Sequence, residues 1–268
     1  MNRRSFLLSL AVVAAGGCSA NRLRRAETRS LRVLTYNVHH GEGVDGRLDL
    51  DRIATVIRAA SPDLVALQEV DRYARRTGGI DQTATYARLT GLHAWFGAAM
   101  PFQGGEYGQA LLSRWPLQQP TVLPLPGTRG REPRIVVTAI VDIPRLGRIR
   151  LAGLHLDAGQ DDGDRWTQAG ALLQGLKSDS VRTLLAGDFN ATPESRVMQR
   201  ILAPGNGWVD TAGQWAAPTI PAESPKSRID FVLASPPAAW QTLKSEVIPE
   251  LAASDHRPVL VEISLPQH

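Results

Sequence analysis

The chain contains almost no cysteine: Cys18 is the only one in 268 residues. No disulfide can form within it, so the folded domain depends on core packing for its stability. Cys and His do not cluster at the spacing of a zinc site. No serine stands in a nucleophile-elbow pattern. The apolar run Leu7–Ala15 is too short to span a bilayer as a permanent helix. A long basic stripe suited to duplex nucleic acid is also missing. Neither an internal repeat nor a second domain boundary is visible. These absences leave an ordinary globular chain that must do its chemistry without thiols or an activated serine.

What is present begins with an N-terminus that reads as processing signal, not fold. Arg3-Arg4-Ser5-Phe6-Leu7 looks like a twin-arginine export signal. Cys18 directly follows Ala15-Gly16-Gly17, which resembles a bacterial lipoprotein cleavage site. The expectation is a signal over 1–17, a tether over 18–30 and one domain over 31–268. The mature protein would then sit in the bacterial cell envelope on the periplasmic side, held to the membrane by a lipid on Cys18. Loss of Arg3 and Arg4 would lower the formal charge of +4 by two. Much of the remainder lies in Arg22, Arg24, Arg25, Arg29 and Arg32, a cluster suited to anionic headgroups or to plain solvation.

The domain is 43% hydrophobic and 21% charged, with 24 Gly and 18 Pro, which suits a turn-rich β or α/β chain. Leu31–Val38 alternates as a strand and ends in the polar loop His39-His40-Gly41-Glu42-Gly43. Asp49–Ala60 has helical spacing and stops at Ser61-Pro62. Asp63–Glu69 is a second buried strand that ends in a carboxylate. Gln82–Thr90 reads as a short helix closed by Gly91, Leu92–Ala99 as a strand, and Pro101–Gly108 as a glycine-rich loop feeding a strand from Gln109. Val122–Gly130 reads as turns. Ile135–Val141 and Ile149–Leu156 read as strands, the second carrying His155. Asp164–Leu176 is a helix whose Trp166 is expected in the core. A further helix is expected near Ser195–Leu202, and Pro204–Ser227 reads as a surface excursion.

The chain is organised around Leu184–Asn190, an apolar run ending in Gly187-Asp188-Phe189-Asn190. In an extended strand, residues two apart share a face, so Asp188 and Asn190 would point together into a crevice. The same pattern recurs. Asn37, Glu69, His155, Asp188, Asn190, Asp230, Asp255 and His256 each lie at or near an end of an apolar segment. One such residue is an ordinary cap, but so many from separate segments suggest a common rim. Together they offer hard oxygen ligands for one or two Mg²⁺ ions and two imidazoles that exchange protons near neutral pH. That combination points to metal-assisted attack by water.

The ordered segments Thr35–Gly41, Leu67–Asp71, Gly187–Pro193, Arg228–Leu233 and Ser254–Val259 resemble the endonuclease/exonuclease/phosphatase superfamily. Pancreatic-type deoxyribonucleases, apurinic endonucleases, inositol-polyphosphate 5-phosphatases and neutral sphingomyelinases belong to it. The likeness runs over about Leu31–Leu265. It implies a four-layer α/β sandwich, with two mainly antiparallel sheets packed face to face, helices outside and the site at one rim. It implies Glu69 as the principal Mg²⁺ ligand (Mn²⁺ being the alternative ion), helped by Asn37 and Asp255. Asp188 would orient and deprotonate water, and Asn190 would bond the phosphate. His256 would hold a phosphate oxygen with Asp230 fixing its ring, and His155 would be a second clamp or a proton donor. Arg131 and Glu132 are weaker candidates for phosphate contact and for fixing a histidine, and Gln109 stands where relatives often carry Asn. The expected activity is hydrolysis of a phosphate ester, a phospholipid or phosphorylated head group slightly ahead of nucleic acid. The alternatives are an extracellular or periplasmic nuclease and a non-catalytic binding lipoprotein.

Overall fold

A computed structural model describes residues 30–177 and 181–266. The export signal, Cys18 and the tether up to Arg29 lie outside the described residues. Arg32, grouped with the tether by sequence, belongs to the domain. Its backbone is in the first strand, and its guanidinium donates to Ala60 O at 2.6 Å.

In chain order the strands are β1 (Ser30–Asn37), β2 (Leu64–Arg72), β3 (His93–Phe102), β4 (Gly105–Ser113), β5 (Gln118–Pro124) and β6 (Ile135–Ile143). They continue as β7 (Gly147–His155), β8 (Arg182–Asp188), β9 (Val209–Asp210), β10 (Asp230–Ser235), β11 (Gln241–Val247) and β12 (Val259–Ser264). The helices are α1 (Leu50–Ala60), α2 (Gln82–Thr90), α3 (Gly163–Gly175) and α4 (Arg196–Ile201). The strands form two six-stranded sheets, ordered β11-β12-β1-β2-β4-β3 and β5-β6-β7-β8-β10-β9. Each is antiparallel except for one central parallel pair, β1–β2 in the first and β7–β8 in the second. A helix joins the two strands of each parallel pair, as a crossover requires. The two halves therefore share a plan that leaves no visible repeat in the sequence.

Period-two alternation produces the layers. On β1, Leu31 and Val33 face the middle of the sandwich, while Leu34 and Tyr36 face the helices. On β8, Leu184 and Ala186 face the middle, while Leu185 packs with Phe231, Leu172 and Met198 under α3 and α4. Three buried clusters result: one between the sheets, one under α1 and α2, one under α3 and α4. The helix ends follow local chemistry. Asp49 and Asp81 cap α1 and α2 by accepting from Arg52 N and Ala84 N, and Ser61 and Gly91 close them in the left-handed region.

The loops depart from the sequence reading. Most of Pro101–Gly108 is strand, because β3 and β4 form a hairpin turning at Gln103-Gly104. Gln118–Pro124, read partly as turns, is an edge strand with a bulge, which explains its weak alternation. Trp166 is not in the core. It lies half-buried between the guanidiniums of Arg196 and Arg200, 5.0 and 4.3 Å from its ring centre, while Arg165, Gln168, Ala169 and Leu172 are the buried residues of α3. Pro204–Ser227 carries β9 and a short 3-10 turn, and its Thr219 and Ala222 are fully buried.

Candidate active site

The alternation that fills the core also builds the site. Central strands present mainly apolar residues inward and a polar residue at the inward position nearest the rim. On β7 the inward series is Ile149, Leu151, Gly153, His155; on β8 it is Leu184, Ala186, Asp188. On β10 it begins at Asp230 and continues through Val232 and Ala234. Register then aligns them, since His155 pairs with Asp188 and Asp188 with Asp230, one row across three strands. From the facing sheet, β1 ends its inward series at Asn37.

Glu69 requires a different device. Strict alternation from Leu64 and Ala66 would place Gln68 inward and Glu69 outward. A bulge interrupts the β2–β4 register between Leu67 and Val70, and Glu69 has φ +56°. The extra residue re-aims the strand end, so Gln68 stays buried against Thr35 and Glu69 reaches the rim. Asn190 is a similar case. It shares the cleft with Asp188, but β8 has ended and Asn190 has φ +47°. Asp188 Oδ1 accepts from Asn190 N at 2.8 Å, and Asn190 Nδ2 donates to Leu156 O at 3.1 Å. A side-chain-closed turn, not strand pleating, puts the two side by side.

Asp188 Oδ2 is the centre of the arrangement. It accepts from Asn37 Nδ2 at 3.1 Å and lies 3.5 Å from His155 Nε2 and 3.7 Å from His256 Nε2. Asn37 Nδ2 also donates to Glu69 Oε1 at 2.9 Å, so a single amide joins carboxylates from the two sheets. His256 Nδ1 donates to Asp230 Oδ2 at 3.0 Å. Its loop is pinned where Ser254 Oγ donates to Asn37 O at 2.7 Å. Asp255 is adjacent, its Oδ1 accepting from Ser254 Oγ at 3.3 Å. All eight principal residues thus come to one end of the sandwich.

The weaker candidates divide. Glu132 lines the cleft, where it pairs with Arg134 at 2.9 Å and accepts from the Tyr107 hydroxyl. Gln109 lies behind the cleft wall in a small recess, its Nε2 donating to Ile135 O at 3.0 Å between the sheets. Arg131 does not line the cleft. Its guanidinium meets Asp157, Asp161 and Asp164 at 3.0, 2.8 and 3.6 Å. Sequence reading missed Arg134, Arg76, Tyr107, Met100 and Phe102, which also line the cleft of about 320 Å³. Tyr107 had a faint signal, being two residues before the inward Gln109. Arg76 had none: it sits in a turn, is held by Asp71 at 2.7 and 2.9 Å, and places its guanidinium carbon over the Phe102 ring, 4.6 Å from its centre.

Burial sets opposite charge states in this small space. Burial raises the Asp188 carboxyl above the usual range, and the charge of Asp230 adds to that. Burial opposes charge on His256, but Asp230 outweighs it and pushes the imidazole up to about 10. Burial, with Arg134 and His256 nearby, pulls His155 well down and keeps it neutral. Burial, Glu69 and Glu132 keep the Tyr107 phenol protonated.

The donors fit a divalent cation. Glu69, Asp188, Asp230 and Asp255 crowd one rim with one cationic imidazole among them, and Asp230 Oδ1 is buried without a partner. Carboxylate and amide oxygens are the donors that hard divalent ions prefer. The fold and this site define a metal-dependent hydrolase of phosphate esters.

The profile of the Endonuclease/Exonuclease/phosphatase family matches residues 34–256, and the chain belongs to that family. The uncharacterised protein YbhP of Escherichia coli K12 is 26% identical over 249 residues, 88% of this chain and 97% of that one. A crystal structure of an endonuclease/exonuclease/phosphatase from Beutenbergia cavernae superposes with a TM-score of 0.77 at 31% identity, over 89% of this chain and 72% of that one. A mannosyl-6-phosphatase of Bacteroides thetaiotaomicron superposes at 0.73 with 19% identity, over 88% of this chain and all of that one, which is likeness of fold.

Proposed function

We propose that the protein is a Mg²⁺-dependent phosphoesterase acting on a small phosphorylated head group. The observation that carries this is the cleft itself. Its volume of about 320 Å³ suits one compact anionic group, with His256, Arg134 and Arg76 as cations and Met100 and Phe102 as an apolar wall. A duplex would need a long open groove with repeated phosphate contacts. The sugar-phosphate substrate in the name of the Bacteroides structure is chemistry of this size.

Glu69, Asn37 and Asp255 would hold the ion, which when bound supplies positive charge to a phosphoryl oxygen. Asp188 accepts a proton from the attacking water. Its raised basicity makes it a better acceptor than an exposed carboxylate. The water oxygen forms a bond to phosphorus as the bond to the leaving oxygen breaks. His256, kept cationic by Asp230, offsets phosphate charge, and the Asn190 amide fixes a phosphate oxygen. His155 is neutral in the free protein and donates one N–H to the substrate. Phosphate charge beside it favours uptake of a proton from solvent when substrate binds, and the resulting imidazolium gives that proton to the departing oxygen.

We also propose export and attachment through Cys18 on the periplasmic side. β1 runs toward the cleft, so the chain before Ser30 joins the domain roughly 25 Å from the site, at about 3.3 Å per strand residue. This favours a soluble phosphorylated head group over an intact lipid in the anchoring bilayer. The test is a panel of sugar phosphates, inositol phosphates, sphingomyelin and DNA, each with Mg²⁺ and with EDTA. Metal-dependent turnover fastest on the small soluble esters is expected; fastest turnover on duplex DNA would move the assignment to a nuclease.

A further inference from the structure

The imidazoles of His39 and His40 have no role in the chemistry above, yet the fold holds both in an unfavourable backbone. They form a 3-10 turn directly after β1, each with φ +44°, the left-handed region that non-glycine residues seldom occupy. Such a conformation is costly and persists only where neighbours impose it. Those neighbours are present. His39 N donates to Asn37 Oδ1 at 3.0 Å, and Gln82 Nε2 donates to His40 O at 2.6 Å. The two rings are thereby set 4.5 Å apart, edge to face.

His39 Nδ1 lies 3.2 Å from Glu42 O. A carbonyl only accepts, so Nδ1 carries the proton and Nε2 keeps its lone pair. A histidine that donates one N–H to a carbonyl and leaves the other nitrogen open is oriented as metal-ligating histidines are. His40 is 9% exposed and its Nδ1 is buried without a partner. Its Nε2 stops 3.6 Å from Glu42 Oε2, outside hydrogen-bonding reach. A buried imidazole with neither nitrogen bonded is unfavourable unless something else satisfies it. One ligand atom each from His39, His40 and Glu69 lies within 4.8 Å of the others.

We propose that His39, His40 and Glu69 form a second cation site, for a transition ion such as Zn²⁺, Co²⁺ or Mn²⁺. Two imidazoles and one carboxylate suit such ions, whereas Mg²⁺ prefers oxygen donors and water. Glu69 belongs both to this site and to the rim group in which it accepts from Asn37 Nδ2. The two sites are therefore neighbours that share one carboxylate.

The test does not depend on turnover. The full chain is stripped with chelator, titrated with Co²⁺, and followed by visible absorption and metal content per chain. Imidazole signals of His39 and His40 shifted by Co²⁺ in the unsubstituted protein are expected. His39→Asn and His40→Asn should each weaken this binding at least about 10-fold and leave Mg²⁺ affinity unchanged. Asn accepts the left-handed backbone, so these variants keep the turn. Unshifted His39 and His40 signals overturn the site, as does equal Co²⁺ uptake by wild type and both variants. A failed Mg²⁺-dependent hydrolysis assay would strike the proposed activity and leave these readouts untouched.

Discussion

Asn37 and Asp188 meet across the sandwich, the amide Nδ2 of one strand end donating to the carboxylate Oδ2 of another at 3.1 Å. Both side chains are almost wholly buried, and the same amide reaches Glu69 at 2.9 Å. Asn37 therefore fixes the spacing of Asp188 and Glu69, the proposed base and the proposed metal-binding carboxylate, which belong to different sheets. Asn37→Ala removes a donor to two carboxylates, each such bond being worth about 1.5–3 kcal/mol. We expect kcat/KM to fall roughly 10- to 100-fold and the Mg²⁺ requirement to rise. Steady-state kinetics over a Mg²⁺ series would show both, and an unchanged Mg²⁺ dependence would deny Asn37 its bridging role.

Asp188→Asn keeps the shape and removes the proposed proton acceptor. The expected loss in kcat is about 10²- to 10⁴-fold, the usual contribution of a positioned base. Stability should move the other way. A carboxyl whose pKa is raised by folding is ionised at a cost above that pKa, so a neutral amide relieves it. A melting temperature at pH 8 equal to or above wild type, with a near-dead enzyme, is the predicted pair of results.

The legible part of this molecule is where alternation and register agree. Asp188 and His155 close apolar strands and Asp230 opens one, all at inward positions, and pairing alone then places them in one row. Helix ends were equally readable at Asp49 and Gly91, where capping is local. Glu69 was found as a strand end, but its direction depends on a bulge that no periodicity encodes. Arg134 and Arg76 were missed because a guanidinium's target depends on which acid the fold brings near. Glu132 and Asp71 hold them over the cleft, whereas three aspartates draw Arg131 away from it. The tether residues before Ser30 offered a signal pattern without any structural counterpart among the described residues.

The Asp230–His256 pair predicts a pH signature. Folding raises the His256 pKa from 6.5 to about 10. Its stabilising contribution is therefore complete below pH 6.5 and is lost as pH rises through about 10. Asp230→Asn removes the charge responsible, so the imidazole should titrate far lower, with burial then unopposed. Imidazole proton shifts followed by NMR in metal-free protein would report this directly. The alkaline limb of kcat/KM should move down with it; a limb that stays in place would detach His256 from the reaction.

The proposed attachment through Cys18 has a simple fractionation test. Cys18→Ser should release the protein from the membrane fraction without altering its kinetics on soluble esters, because residues before Ser30 join the domain at the end away from the cleft. Equal membrane association of both forms would remove the lipid anchor. Reduced kcat in the soluble form would contradict the remote attachment.

Gly187 offers the most direct way to separate the row of proposed catalytic groups without touching one of them. A methyl group there would lie 2.1 Å from Leu154 O and 2.9 Å from Leu154 C, both backbone atoms of the neighbouring strand. Neither can rotate away, so β7 and β8 must part locally. The next pair in register is His155 and Asp188, whose side chains stand 3.5 Å apart. Gly187→Ala should therefore cost about 1–3 kcal/mol of stability, as overpacking does, and lower kcat by at least 10-fold, since a shift near 1 Å in a positioned group has effects of about 10²-fold. Gly46→Ala is the control. Its φ of +72° also strains an L residue, but the added methyl meets nothing within 4 Å. That variant should lose stability and keep its kinetics. If both variants lost activity in proportion to stability, strand spacing at Gly187 would carry no special weight, and the alignment of His155 with Asp188 would tolerate movement.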